Sequence, residues 1–168
     1  TEAAIIDRIE TILREGASII DVGGYSSRPD AAEVSETEEM QRLEMALQPL
    51  LQHYPDVVVS VDTFRSSVAR QCVEKYGVAM INDITGGELD EQMFDTVAQL
   101  RVPYIMMHMR GTPQTMQQQT DYEDVTADLL KYFSQKLERL FRLGVNDVIL
   151  DPGFGFFSKT LTQNYKLM

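Results

Sequence analysis

The sequence predicts an α/β fold in which five parallel strands alternate with helices. Five short apolar runs along the chain each stop at a polar or ionisable residue, and helix-like stretches separate the runs. The residues that end the runs are Asp21, Asp62, Asn82 with Asp83, His108 and Asp151. Functional groups collect at the carboxyl ends of the strands in parallel β/α folds, so we expect these six residues to converge on one face and mark the site.

The first predicted strand lies between two amphipathic helices. Residues Ile5 to Leu13 present one apolar helical face, and strand 17–22 follows. The next segment, Gly23 to Pro29, is too rich in glycine, serine and proline to continue the strand. Ser35 to Glu38 has the form of a capping box, so we expect a helix near 37–53.

The same alternation continues to the end of the chain. The predicted order is strand 57–62, helix 65–76, strand 78–82, a helix that includes Met93 to Leu100, strand 103–107, helix 122–143, strand 147–151 and the start of a helix at Lys159. Pro103 can begin a strand because the first residue need not donate a ladder hydrogen bond. Cys72 lies among apolar residues at helical spacing, which predicts a buried thiol.

This order of elements fits either an open doubly wound sheet or part of an eight-stranded barrel. No Gly-x-Gly-x-x-Gly follows the first strand, which removes the usual support for dinucleotide binding. The regular spacing and the polar residue at each strand end favour the barrel. We therefore predict a partial (β/α)8 TIM barrel, with five parallel strands and surrounding helices, that is not closed in this chain. Residues 1–168 would form a single barrel domain, truncated at both ends.

Composition limits the classes of partner. The chain is 43% hydrophobic and 24% charged, which is typical of a globular protein, and we expect it to be cytoplasmic. No apolar run approaches the roughly 20 residues of a membrane span. A net charge of -11 disfavours nucleic acid, because binding phosphates requires a basic surface. Any anionic substrate must instead be held by a few local cations and helix amino termini.

The residue types at the strand ends indicate the chemistry of the ligand. A carboxylate can accept two adjacent N–H groups, and an asparagine amide both donates and accepts. The strand ends therefore suit a flat, neutral heterocycle with donors and acceptors along one edge. Arg28, Arg65 and Arg110 follow strand ends and are candidate cations for a phosphate or carboxylate. No lysine ends a strand, which argues against Schiff-base chemistry. We interpret His108 as a structural histidine rather than a ligand.

Five segments, in this order, resemble the motifs of the dihydropteroate synthase family. They are Asp21 to Pro29, Ser60 to Thr63, Ile81 to Gly87, Met107 to Gln117, and Asp151 to Phe156 with Lys159 and Thr160. The resemblance covers the whole chain and implies the second to sixth strands of that family's eight-stranded barrel. Ser27 stands where the family usually has threonine, and two residues rather than one separate Phe156 from Lys159.

The resemblance implies a transferase of folate biosynthesis. The reaction condenses 6-hydroxymethyl-7,8-dihydropterin diphosphate with 4-aminobenzoate, giving 7,8-dihydropteroate and diphosphate. By similarity, Asp62, Asn82 and Asp151 hold the pterin edge, Ile84, Met107 and Phe156 wall its ring, and Ser27 with Arg28 belongs to a mobile loop that helps to order diphosphate and aminobenzoate. Asp62 and Asp151 would be the catalytic carboxylates, because departure of diphosphate leaves positive charge on the pterin methylene.

Further expectations come from the same resemblance. The family uses Mg²⁺ with the diphosphate, through a protein ligand outside this chain, forms homodimers whose main interface is missing here, and is the target of sulfonamides. We expect the chain by itself to be inactive. Two other interpretations stay open: the methyltetrahydrofolate-binding domain of a corrinoid methyltransferase, and a non-catalytic pterin-binding or interaction fragment with open sheet edges. The segments Ser26 to Pro29 and Met107 to Pro113 favour the synthase.

Overall fold

A computed structural model describes residues 1–26, 28, 32–112, 115–116, 119–155 and 159–168. Its helices are α1 Glu2–Arg14, α2 Glu36–His53, α3 Ser66–Tyr76, α4 Met93–Leu100, α5 Val125–Arg142 and α6 Leu161–Leu167. Its strands are β1 Ile19–Gly23, β2 Val58–Asp62, β3 Met80–Asp83, β4 Tyr104–Met107 and β5 Val148–Asp151. Within this described part, no helix is both long and apolar enough to span a membrane.

The strands form one parallel sheet in the order β1-β2-β3-β4-β5. Each strand is hydrogen-bonded to the strand that follows it in the sequence. A doubly wound sheet reverses its strand order at a switch point, whereas a barrel adds its strands consecutively. The consecutive order therefore confirms the predicted open portion of a (β/α)8 barrel, with β1 and β5 as its two edges.

The two faces of the sheet have different environments. One face packs against the helices, and Val61, Ile81 and Tyr104 on it are completely buried. We call the opposite face the inner face, since it corresponds to the interior of a closed barrel. There Ile19 and Val58 keep 45% and 39% of their surface exposed. At the carboxyl end of this face Asp21 is exposed, and Asp62, Asn82 and Asp151 are half-buried. These polar groups are therefore accessible to a ligand.

Side-chain caps set the first residues of α2 and α5. Ser35 accepts a hydrogen bond from the backbone N–H of Glu38 at 3.2 Å, which is one half of the predicted capping box. The Glu38 carboxylate pairs with Arg42 instead of completing the box. Helix α5 begins at Val125 rather than at the predicted residue 122, because the Asp124 side chain accepts the N–H groups of the first turn.

Cys72 on α3 is fully buried in the core between the sheet and the helices, as predicted. Burial raises the pKa of its thiol to about 12, and the negative charges of Glu39 and Glu44 act in the same direction. The thiol therefore stays protonated and behaves as a small apolar side chain.

Candidate functional site

The groups predicted to hold a ligand edge lie at one end of the inner face. Asp62 on β2 is the register partner of Asn82 on β3, so the two side chains point to the same side of the sheet. Asn82 is in turn opposite Ile105 on β4. Two residues further along β4, Met107 is opposite Asp151 on β5, and residues two apart share a face. Strand pairing thus brings Asp62, Asn82 and Asp151 to one face at the carboxyl ends of their strands.

Asp21 connects β1 to this group. The Asn82 amide donates from Nδ2 to Asp21 Oδ2 at 3.1 Å, across β2, which lies between their two strands. The bond directs the nitrogen of the amide toward β1 and leaves its oxygen as an acceptor. The sequence marked Asp21 as a strand-end carboxylate, but nothing in it indicated this contact.

Asp62 has an unusual protonation equilibrium. Burial raises the pKa of its carboxyl to about 7, and the negative charges of Asp21, Asp83 and Glu39 act in the same direction. Near neutral pH the group therefore exists in both its protonated and its ionised form. Strongly shifted carboxyl groups at the end of a barrel strand are typical of functional sites.

A tight turn supports Asp151. Its Oδ1 accepts the backbone N–H of Gly153 at 2.7 Å. Gly153 has a φ of 72°, and a Cβ there would lie 2.8 Å from the His108 carbonyl oxygen, so only glycine fits.

Lys159 is 5% exposed and donates to the same carbonyl oxygen, that of His108, at 3.3 Å. Burial lowers the pKa of the lysine to about 8, against the opposing effect of the Asp151 charge. Lys159 thus supplies positive charge close to Asp151, a role that the sequence motif did not indicate.

Two of the three apolar residues predicted to wall a ring occur together. Ile84 and Met107 form a buried cluster with Met109 and Met116, next to the ends of β3 and β4. Met107 shares the inner face with Asp151, so the cluster borders the polar groups. This arrangement places apolar side chains beside hydrogen-bonding groups, a combination that suits a site for a flat heterocycle.

Of the three remaining predicted site residues, the structure describes one. Ser27 and Phe156 lie outside the described residues. Arg28 is exposed, and its backbone N–H donates to Ser26 Oγ at 3.4 Å.

Asp83 does not belong to the inner face, and the expectation that it joins the other strand-end residues there is wrong. It follows Asn82 directly, and consecutive residues of a strand point to opposite faces. Its carboxylate is fully buried on the helix side, where it accepts four hydrogen bonds from Thr85, Gly87 and Tyr104. Burial raises the pKa of Asp83, although these hydrogen bonds oppose the shift. Asp83 therefore organises the turn after β3.

His108 is also directed toward the helices rather than toward the inner face. Its ring is 3% exposed and contacts the Tyr132 ring edge-on at a centroid distance of 4.7 Å. Burial lowers the pKa of the imidazole to about 4, and the positive charges of Lys159 and Arg110 lower it further. A neutral, packed ring agrees with its interpretation as a structural histidine.

Two of the three candidate cations are engaged within the protein. Arg65 forms an ion pair with Glu39, whose side chain is fully buried. Arg110 pairs with Asp128 at 3.0 Å. Of the three, the exposed Arg28 is therefore best suited to meet an anionic ligand.

The described residues do not fit a metal ion. Across the ranges that the structure describes, no group of three or more His, Cys, Asp or Glu side chains is arranged to hold one. Because Mg²⁺ prefers several oxygen ligands in octahedral geometry, these residues do not form a magnesium site.

Fold and site together define a class of protein. The sheet adds its strands in consecutive order, as a barrel does. The carboxylate and amide groups at the end of its inner face suit a heterocycle with donors and acceptors along one edge. The chain belongs to the pterin binding enzyme family, whose model matches residues 2–168.

Known proteins with similar sequence and structure act in folate synthesis. Folic acid synthesis protein fol1 of Pneumocystis carinii is 43% identical over 173 residues, which cover 99% of this chain and 23% of that protein. Yersinia pestis dihydropteroate synthase, crystallised with a sulfonamide drug, superposes with a TM-score of 0.88 at 38% identity, covering 96% of this chain and 58% of that one. Clostridium difficile dihydropteroate synthase, crystallised with pteroic acid, gives 0.87 at 30% identity, covering 99% and 60%. The chain thus spans between 23% and 60% of these proteins.

Proposed function

We propose that the protein containing this chain is a dihydropteroate synthase. It would condense 6-hydroxymethyl-7,8-dihydropterin diphosphate with 4-aminobenzoate, giving 7,8-dihydropteroate and diphosphate in folate biosynthesis. Membership of the pterin binding enzyme family supports this proposal. The observation that carries it is the position of Asp62, Asn82 and Asp151 on one face at the carboxyl ends of neighbouring strands.

The pterin would bind with its polar edge toward these three residues. Ionised Asp62 and Asp151 accept N–H groups of the heterocycle, and the Asn82 amide oxygen accepts another. Ile84, Met107 and Phe156 would contact the faces of the ring. Arg28 and Ser27 would contact the diphosphate and 4-aminobenzoate.

The reaction exchanges one bond for another at the pterin methylene carbon. The C–O bond to diphosphate breaks, the C–N bond to the 4-aminobenzoate amine forms, and the amine loses a proton. Positive charge develops on the methylene group and spreads into the ring as diphosphate leaves. Asp62 and Asp151 would stabilise that charge more than they stabilise the neutral ring of the substrate, which lowers the barrier.

Other features of the enzyme are proposed on the motif resemblance. They are Mg²⁺ bound with the diphosphate through a ligand outside residues 1–168, a homodimer, and a cytoplasmic location. The net charge of -11 supports small-molecule substrates rather than nucleic acid as partners.

Turnover tests the proposal directly. The protein of family length that contains this chain, called the full-length protein below, is supplied with both substrates, and 7,8-dihydropteroate is quantified by chromatography. We expect product formation in the wild type, and at least about a 100-fold loss in Asp62→Asn and Asp151→Asn, because each removes a charge aimed at the transition state. Asp56→Asn is the matched control, since Asp56 is exposed in the turn before β2. A folded wild type without turnover, or Asp62→Asn and Asp151→Asn with wild-type rates, would contradict the proposal.

A further inference from the structure

We propose that Asp21 is a positioning residue of the pterin site: its carboxylate holds the Asn82 amide, and its negative charge couples ligand binding at Asp62 to the release of a proton. This inference rests on the proposed function, because it takes a pterin as the molecule that contacts Asp62 and Asn82.

Strand register places Asp21 on the same face as Asp62. Asp21 pairs with Ser60 on β2, and Ser60 and Asp62 are two residues apart and share the inner face. The residue of β1 directly opposite Asp62 is Gly23. Because Gly23 has no side chain, nothing on it separates the Asp62 carboxyl group from the Asp21 carboxylate.

The hydrogen bond between Asp21 and Asn82 determines which end of the amide faces a ligand. Asn82 Nδ2 donates to Asp21 Oδ2 at 3.1 Å, so the amide oxygen is the group left to accept an N–H of a heterocycle. Without an acceptor at position 21 the Asn82 amide can flip between two orientations. In one of them its NH2 group, rather than its oxygen, would face an N–H donor of the ligand. Asp21 therefore selects the hydrogen-bonding pattern that Asn82 offers.

The charges of three acidic groups, on elements packed against β2, raise the pKa of Asp62. Asp21 is on β1, Asp83 is at the end of β3, and Glu39 is on α2. Glu39 is neutralised by its ion pair with Arg65, and Asp83 is directed to the helix face. Asp21 lies on the face of Asp62 itself, and its charge has the largest effect of the three on the pKa of Asp62.

Ligand binding changes the preferred charge of Asp62. Hydrogen bonds accepted from N–H groups stabilise the ionised form of a carboxyl group over its protonated form, so a ligand that donates to Asp62 lowers the pKa of that group. Since the pKa of the empty site is about 7, binding near neutral pH requires part of the Asp62 population to lose a proton. A substitution that removes the Asp21 charge lowers this pKa and reduces the number of protons released.

Two substitutions at position 21 separate the two roles. Asp21→Asn keeps an oxygen that can accept from Asn82 but removes the charge, whereas Asp21→Ala removes both. Calorimetric titration of the full-length protein with pteroic acid, at pH 7 in two buffers of different ionisation enthalpy, gives the affinity and the protons released. The ionisation of pteroic acid itself is common to all variants and cancels in the differences.

For the wild type we expect release of about half a proton, the value for a group at its pKa. Asp21→Asn should bind within about 3-fold of wild type and release clearly fewer protons, while Asp21→Ala should lose about 10-fold or more in affinity. Asp56→Asn, the exposed control, should match the wild type in both quantities.

Each part of the inference can be overturned separately. Proton release by Asp21→Asn equal to that of the wild type would refute the charge role, and wild-type affinity in Asp21→Ala would refute the positioning role. A purely structural role would lower the melting temperature of Asp21→Ala without changing proton release. Failure of the wild type to bind pteroic acid would instead refute the proposed function, which distinguishes the two failures.

Discussion

Replacing Asp83 by alanine removes the acceptor of four hydrogen bonds in the turn after β3. The carboxylate accepts the backbone N–H groups of Thr85 and Gly87 and the hydroxyls of Thr85 and Tyr104, at 2.7 to 2.8 Å. Because the site is completely buried, water cannot take the place of the lost oxygens. We expect the free energy of unfolding to fall by about 3 to 5 kcal/mol.

The magnitude follows from counting the donors that lose a partner. The Thr85 hydroxyl can rotate to another acceptor, whereas two backbone N–H groups and the Tyr104 hydroxyl cannot move freely. An unpaired buried donor costs about 1 to 3 kcal/mol, so three donors cost about 3 to 9 kcal/mol. The raised pKa of Asp83 shows that burying its charge is itself unfavourable, and removing the charge recovers part of that cost. The expected loss is therefore at the lower end of this range, about 3 to 5 kcal/mol.

Urea unfolding of the full-length protein, followed by circular dichroism, measures this difference. Asp83→Asn should be intermediate, since it retains one oxygen but turns an N–H group toward donors. Asp56→Ala is the control and should lie within about 0.5 kcal/mol of the wild type, because Asp56 is exposed. An Asp83→Ala variant within about 1 kcal/mol of the wild type would refute the assignment of Asp83 to the structural turn.

Substitutions at other positions should have different signatures. The folded-state pKa of Asp62, about 7, exceeds its ordinary value of 3.8, so the stability that this group contributes is present below pH 4 and is lost as the pH rises through 7. Asp62→Asn should therefore be more stable than the wild type at pH 8, by up to about 4 kcal/mol in urea unfolding, and an equal stability of both proteins at pH 8 would contradict this. Asp151→Ala should weaken pteroic acid binding by about 2 to 4 kcal/mol, because ring N–H groups lose their acceptor; unchanged calorimetric affinity would count against it. The His108 ring should show no titration between pH 5 and 8 by NMR, since its pKa is lowered to about 4, and a midpoint near 6.5 would disprove its burial as a neutral ring. The isolated 168-residue chain should self-associate through its open edges β1 and β5, whereas light scattering from a stable monomer with a cooperative thermal transition would exclude this.

The alternation of strands and helices could be predicted because apolar runs of strand length and helical periodicity are both local properties of a sequence. The choice of a barrel over a doubly wound sheet was only favoured by the sequence, since it depends on which strands are neighbours. Helix α5 begins at Val125 rather than at the predicted residue 122, because the Asp124 side chain accepts the first N–H groups of the helix. The apolar pattern of the sequence does not reveal this cap.

The site shows the same division between local and long-range information. A strand-end position indicates the end of the sheet but not the face, and for this reason Asn82 and Asp83 were grouped although they point in opposite directions. The Asp21–Asn82 hydrogen bond joins residues 61 positions apart across an intervening strand, so no local pattern could reveal it. The position of Lys159 could not be predicted either, because its contact with the His108 carbonyl depends on the path of the turn at Gly153.

A crystal structure of the full-length protein with pteroic acid tests most directly whether these strand ends bind a pterin. We expect polar atoms of the heterocycle to lie within about 3.2 Å of the Asp62 and Asp151 carboxylates and of the Asn82 amide. We also expect Met107 to contact the ring and the Asn82 to Asp21 hydrogen bond of 3.1 Å to persist in the complex. A heterocycle bound elsewhere, with these three polar groups in contact only with water, would contradict the account.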